Sequence, residues 1–153
     1  MGKLDKNTVI LMADDDEDDC LLLKSAFEDA GITKVLRFVE DGKELMDYLY
    51  RQGQYADPKQ SPCPDLILLD LNMPMKDGRE ALREIKSDPE LRSIPIVILT
   101  TSKEESDVRM TYETGAASFI TKPLTFNEWS KMVETMGRYW FEVATRPPKA
   151  SWC

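Results

Sequence analysis

Three short apolar runs constrain this chain more than any other feature: Val9-Ile10-Leu11-Met12, Leu66-Ile67-Leu68-Leu69 and Ile96-Val97-Ile98-Leu99. Each is about strand length, and each stops abruptly at polar residues. None alternates between apolar and polar. A strand with one wet face alternates, whereas a strand covered on both faces does not. The runs therefore predict parallel strands buried on both sides of one sheet. Two weaker runs, Val35-Leu36-Arg37-Phe38-Val39 and Ser118-Phe119-Ile120-Thr121, mix in polar residues and suit the sheet edges.

Helical patterns separate the runs. Leu23, Ala26, Phe27 and Ala30 recur at i, i+3, i+4, i+7, and Gly31 follows as a stop. A second helix around Leu45 and Leu49 fades at Gly53, and a third with Ala81, Leu82 and Ile85 ends before Pro89. The fourth is expected to open at Ser102 with Glu105 three residues on, and the fifth at Thr125 with Glu128, both at capping-box spacing. Gly115 closes the fourth. Strand and helix thus alternate five times, and right-handed crossovers make this an α/β fold: a five-stranded parallel sheet with helices on both faces. The expected divisions are a lead over 1–7, a domain over 8–141 and a loose tail over 142–153 carrying Pro147-Pro148. The proline-bearing stretch 52–64 reads as a long inserted loop.

Composition narrows the chemistry. At 153 residues the chain has the size of one domain, and 42% hydrophobic residues suffice for a core. Twenty basic residues against 28 acidic give a net charge of −8, which repels phosphate backbones and argues against direct nucleic-acid binding. Histidine is absent, which removes histidine-assisted nucleophiles and histidine-ligated metals. Cys20, Cys63 and Cys153 are odd in number and far apart, so they are expected to be free thiols of a reducing compartment. With no secretory h-region and no run long enough for a membrane span, the expected location is cytoplasmic.

In an open parallel sheet, ligands collect outside the carboxyl ends of the strands. There the first strand runs into Asp14-Asp15-Asp16, the third ends at Asp70, the fourth at Thr100-Thr101 and the fifth at Lys122-Pro123. Carboxylates in excess of one ammonium call for a hard cation, and Mg²⁺ suits a site of one or two carboxylates, waters and phosphate oxygens. A carboxylate can also be a nucleophile that forms an acyl phosphate. Taken singly, each residue has a plainer reading. The acids 14–19 read first as a solvated helix N-terminus, Asp70 as a turn cap, Thr100 as a β-branched strand end and Lys122 as a surface lysine. Their joint placement at four strand ends favours chemistry. The acidic run is no EF-hand, because Asp19 and Ser25 stand where Gly and Glu are needed. No glycine-rich nucleotide loop follows a strand.

"MADDDEDD", "LILLDLNMPMKDG", "VILTTS" and "FITKPL" together resemble the receiver domain of two-component response regulators, from about Thr8 to Phe141. "GKELMDYLYRQGQY", the proline loop and "SDPELRSIPIVILTTS" resemble the stand-alone type associated with phytochrome histidine kinases. The resemblance implies the flavodoxin-like (βα)5 receiver fold. It makes Asp70 the phosphoacceptor, Asp14 and Asp15 the acidic pair for Mg²⁺, and Asn72 the residue whose carbonyl completes the metal shell. Thr100 and Lys122 become the hydroxyl and ammonium drawn to the phosphoryl group, with a cis Lys122-Pro123 bond. Phe119 matches the aromatic switch position, and reads as readily as a core phenylalanine on an edge strand.

The implied function is to accept a phosphoryl group from a partner sensor histidine kinase, possibly a phytochrome, and to signal by protein–protein contact. Catalysis is limited to the protein's own phosphoryl transfer and dephosphorylation. Trp129, Met132, Val133, Met136, Trp140 and Val143 form a stripe on the last helix that reads first as core. Tyr139 and Phe141 lie off it and offer surplus apolar surface for a homodimer or kinase contact. The competing readings are a Mg²⁺-dependent phosphatase or phosphotransferase with an Asp nucleophile, a small flavin-binding domain, and a pseudo-receiver that binds partners without taking phosphate. The first lacks a second acid at Asn72, the second meets an acidic loop where phosphate must sit, and the third has every chemical position filled.

Overall fold

The computed structural model describes residues 8–32, 35–149 and 153. The expected lead over 1–7 lies outside them. In chain order the elements are β1 (Val9–Ala13), α1 (Glu17–Asp29), β2 (Val35–Val39), α2 (Gly42–Tyr50), β3 (Leu66–Leu69), α3 (Gly78–Ser87), β4 (Ile96–Thr100), α4 (Glu105–Thr114), β5 (Ser118–Thr121) and α5 (Phe126–Arg138). All pairings are parallel, in the order β2-β1-β3-β4-β5. The three continuous apolar runs occupy the centre, and the two mixed runs the edges.

Period-two alternation divides each central strand between two cores. Ile10, Met12, Leu66, Leu68, Val97 and Leu99 face α1 and α5, where Phe27 and Trp129 are buried among them. Leu11, Ala13, Ile67, Leu69, Ile96 and Ile98 face α2 and α3. Burying a side chain of this size contributes roughly 1.5–3 kcal/mol, so a sheet covered on both sides needs no polar alternation.

Helix ends follow the local chemistry with one exception. Asp16, Asp41, Asp77 and Thr125 cap α1, α2, α3 and α5 through side-chain oxygens that accept first-turn amides. Gly115 ends α4 at φ 119°. The expected cap at Ser102 does not form. Glu104 precedes α4 without a side-chain cap, while the Ser102 hydroxyl donates to Asp107 Oδ2 at 2.6 Å. The Ser102 oxygen accepts the Glu104 amide at 3.3 Å, before the first helical residue, and so caps no amide within α4.

The amino ends of the strands carry two corrections. Cys63 and Cys153 form a disulfide with their Cα atoms 5.7 Å apart, so they are not free thiols, and Cys20 alone remains one. Sequence separation carries no information about spatial proximity, and the fold returns the chain end to the loop before β3. Where it is described, the expected loose tail is tied, at Lys149 and at Cys153. Lys149 pairs with Asp65 at 3.6 Å, and the same carboxylate accepts the Val9 amide at 2.9 Å.

The 52–64 stretch is built rather than slack. Gly53–Tyr55 forms a 3₁₀ turn, the Tyr48 hydroxyl donates to the Pro62 carbonyl at 2.6 Å, and buried Ser61 donates to the Tyr55 carbonyl at 2.9 Å. After α5 the backbone widens into a π turn, Tyr139–Val143, with the Ala144 amide bonded to the Tyr139 carbonyl. That extra residue per turn rotates the stripe. Phe141 becomes buried and Val143 is exposed, the reverse of the helical expectation, while Tyr139 stays exposed as expected.

Candidate functional site

Backbone pairing pins the site residues before their side chains do anything. The ladder continues one residue past each strand: Asp14 N–H donates to the Val39 carbonyl, Asp70 N–H to Ala13, and Lys122 N–H to Thr100, at 2.8–3.0 Å. The ends of β1, β3 and β5 thereby deliver two carboxylates and an ammonium to one edge. Gly78 lets this edge close. A Cβ there would lie 2.1 Å from the Asp70 carbonyl oxygen and 2.8 Å from Leu71 Cα, so only glycine lets the α3 N-terminus approach the Asp70 backbone.

Lys122 Nζ is the hub. It lies 2.6 Å from Asp19 Oδ2, 2.7 Å from Asp14 Oδ2 and 3.3 Å from Asp70 Oδ2. All four side chains are largely withdrawn from water. Burial alone would push the ammonium down, yet the Asp14 and Asp19 carboxylates outweigh it and hold Lys122 above its ordinary range. Asp14 is pushed up to about 6, chiefly because burial disfavours its charge, with Lys122 opposing.

Asp14, Asp15 and Asp70 each offer an oxygen within 4.8 Å of the others'. Asp14 Oδ2 is buried and, despite its ion pair, makes no hydrogen bond of acceptable geometry. A buried carboxylate oxygen with spare acceptor capacity, beside an exposed Asp15, fits a hard divalent cation. An open cleft of about 420 Å³, lined in part by Asp14, Asp15, Glu17, Glu40 and Glu44, gives water and cations access from the β2 side. The residues present fit Mg²⁺.

The other expected residues hold mixed positions. Thr100 is fully buried at its strand end, its hydroxyl oxygen accepting the Ser102 amide at 3.4 Å. Asn72 is exposed, and its amide points to Asp70 Oδ1 at 3.4 Å. Phe119 is half-buried, opposite Ile98 in the β4–β5 register, with its N–H donating to the Tyr112 hydroxyl. The Lys122-Pro123 bond is trans, not cis, the ordinary preference of a prolyl bond.

Two groups of residues escaped the sequence reading. Asp19 was part of the acidic run, but nothing in its spacing marked it as a partner of Lys122, 103 residues away. Arg79 grips Asp107 through two bonds of 2.7 Å, and touches Asn72 Oδ1 at 3.4 Å. With Ser102 on the same carboxylate, this network ties the loop after Asp70 to the loop after Thr100. Asp107 is held down at about 2, first by the Arg79 hydrogen bonds. Its periodic place on α4 reads as a solvated face, so no sequence signal distinguishes it.

The response regulator receiver domain family matches residues 10–134. Response regulator Rcp1 of Synechocystis sp. is 42% identical over 139 residues, 91% of this chain and 92% of that protein. Among solved structures, the Mn(2+)-bound form of Rcp1 superposes at a TM-score of 0.83 with 41% identity, over 92% of this chain and 99% of that one. The phosphorylated cyanobacterial phytochrome response regulator RcpA gives 0.84 with 39% identity over the same shares. Strand order, the acid–lysine cluster at the strand ends and these likenesses agree, and the chain belongs to the response regulator receiver domain family.

Proposed function

We propose that Asp70 is the phosphoacceptor of this receiver, that Asp14, Asp15, Asp70 and the Asn72 carbonyl hold Mg²⁺, and that Thr100 and Lys122 answer the arriving phosphoryl group. The observation that carries the reading is the buried Asp70 carboxylate, 3.3 Å from the Lys122 ammonium and within ligand distance of Asp14 and Asp15. Bound Mg²⁺ would neutralise the crowded carboxylates and phosphoryl oxygens.

An Asp70 carboxylate oxygen attacks the phosphorus of a partner kinase's phosphohistidine. The new P–O bond forms as the P–N bond breaks, and the imidazole leaves with the electron pair. Lys122 neutralises one phosphoryl oxygen, and the Thr100 hydroxyl turns from the Ser102 amide to donate to another. The histidine comes from the partner, because this chain has none.

The partner is a sensor histidine kinase. The Rcp1 and RcpA likenesses support one of the phytochrome class. Output passes through protein contact. Exposed Tyr139 and Val143, and the groove that Ile120, Met132 and Trp140 share with Tyr139, support a homodimer or kinase face there. Phe119 acts as the switch by burial alone, having no hydroxyl to donate. The domain so defined spans 8–141, and its catalysis is confined to its own phosphoryl group.

Beryllofluoride tests the reading. A saturable, Mg²⁺-dependent change in tryptophan fluorescence that is lost in Asp70→Asn is expected. An unresponsive wild-type protein at all Mg²⁺ concentrations would leave the pseudo-receiver reading in its place.

A further inference from the structure

The Lys122 ammonium donates to Asp19 and Asp70 and pairs with Asp14 by charge, so three carboxylates share it. The contact to the proposed acceptor, Asp70, is the longest at 3.3 Å, and the contact to Asp19 is the shortest at 2.6 Å. Asp19 is fixed independently of Lys122. It sits in the first turn of α1, and its amide bonds the capping carboxylate of Asp16 at 3.3 Å. Its side chain is 18% exposed, so water screens the pair little.

A phosphoryl oxygen that engages Lys122 competes with these carboxylates for the ammonium's charge and position. Asp14 lies with Asp15 and Asp70 in the proposed cation site, and Asp70 carries the phosphoryl group itself. Asp19 is the carboxylate that neither the cation nor the phosphoryl group claims. Its bond persists through the transfer and competes with the new one.

Resting on the reading of Asp70 as acceptor, we propose that Asp19 is a positioning residue that holds Lys122 back from the phosphoryl group and so weakens the phosphorylated state. Charge-assisted hydrogen bonds are roughly twice as strong as neutral ones. Replacing the carboxylate by its isosteric amide keeps the shape, makes the hold on Lys122 weaker, and frees the ammonium for the phosphoryl oxygens.

The test is beryllofluoride affinity at saturating Mg²⁺, read by tryptophan fluorescence, for the wild-type protein, Asp19→Asn, Asp19→Glu, Asp18→Asn and Asp70→Asn. Asp19→Asn is expected to bind roughly three- to tenfold tighter, an effect that loosened packing would not give. Asp19→Glu, which keeps the charge, is expected to return towards wild type. Asp18→Asn removes a neighbouring acid that has no ion pair with Lys122 among the described residues, so it is expected to shift affinity less than twofold. An Asp19→Asn affinity equal to or weaker than wild type, or an equal gain in Asp18→Asn, overturns the inference while loss in Asp70→Asn leaves the acceptor assignment standing. A wild-type protein that never binds overturns both.

Discussion

The two ends of the sheet are held by opposite means. At the carboxyl end, Asp14, Asp19, Asp70 and Lys122 gather charge in a buried place, where desolvation raises Asp14 to about 6. At the amino end, a disulfide and the Asp65 carboxylate tie the tail and the loop before β3 to the sheet. The first arrangement holds like charges together at a cost in stability, the second removes freedom from the unfolded chain. Reactivity and stability are thus expected to separate between the ends.

The largest expected effect is at the carboxyl end. Asp70→Asn should lose all phosphoryl incorporation, yet unfold at the same temperature or higher, since a like charge beside Asp14 is gone. Label incorporation and a melting curve on the same sample check both halves. Retained labelling would remove the acceptor role, and a large fall in melting temperature would make Asp70 a structural anchor instead.

The converse holds at the amino end. Reduction, or Cys153→Ser, should lower stability by about 2–4 kcal/mol, because the bond closes a loop spanning 90 residues in the unfolded chain. Phosphoryl incorporation should persist. Urea unfolding with and without a reducing dithiol measures the first, and a fall in labelling under reduction would show that the two ends are coupled.

The same contrast decides what could be read from sequence. Continuous apolar runs revealed the central strands, because burial on both faces leaves no other pattern. The positions just past those runs then pointed to Asp14, Asp70, Thr100 and Lys122. Side-chain partnerships across the fold left no such trace. Asp19 looks like any acid at a helix start, Asp107 like any acid on a wet helix face, and Cys63 and Cys153 like distant unrelated thiols. The π turn after α5 escaped too, since one widened turn exchanges Phe141 and Val143 without altering the composition of the stripe.

A smaller effect separates the loops flanking the site. Asp107→Asn should cost roughly 1–2 kcal/mol at neutral pH by leaving Arg79 and Ser102 without their charged partner. The folded protein holds Asp107 near 2, below its ordinary 3.8. Its contribution is therefore fully present above about pH 4 and is lost as pH falls towards 2. Urea midpoints of the two proteins should converge over that window. A constant gap down to pH 2 would mean that packing, not charge, makes the difference.

The last effect is a rate, and it ranks the thiols of the reduced protein by their end of the sheet. Cys20 lies at the carboxyl end, 3.9 Å from the Asp14 carbonyl. Burial, reinforced by the negative charges of Asp14 and Asp19, pushes its thiol up to about 12. The thiolate is the reactive form, so at pH 7.5 Cys20 should be alkylated at least about a hundredfold more slowly than a free thiol. Cys153 is exposed at the chain end and should react first once the disulfide is opened. Timed alkylation read by peptide mass gives the order. Rapid labelling of Cys20 would mean that its thiol ionises far more readily than its burial and the neighbouring carboxylates imply, and the contrast between a charged end and a covalently tied one would fail there first.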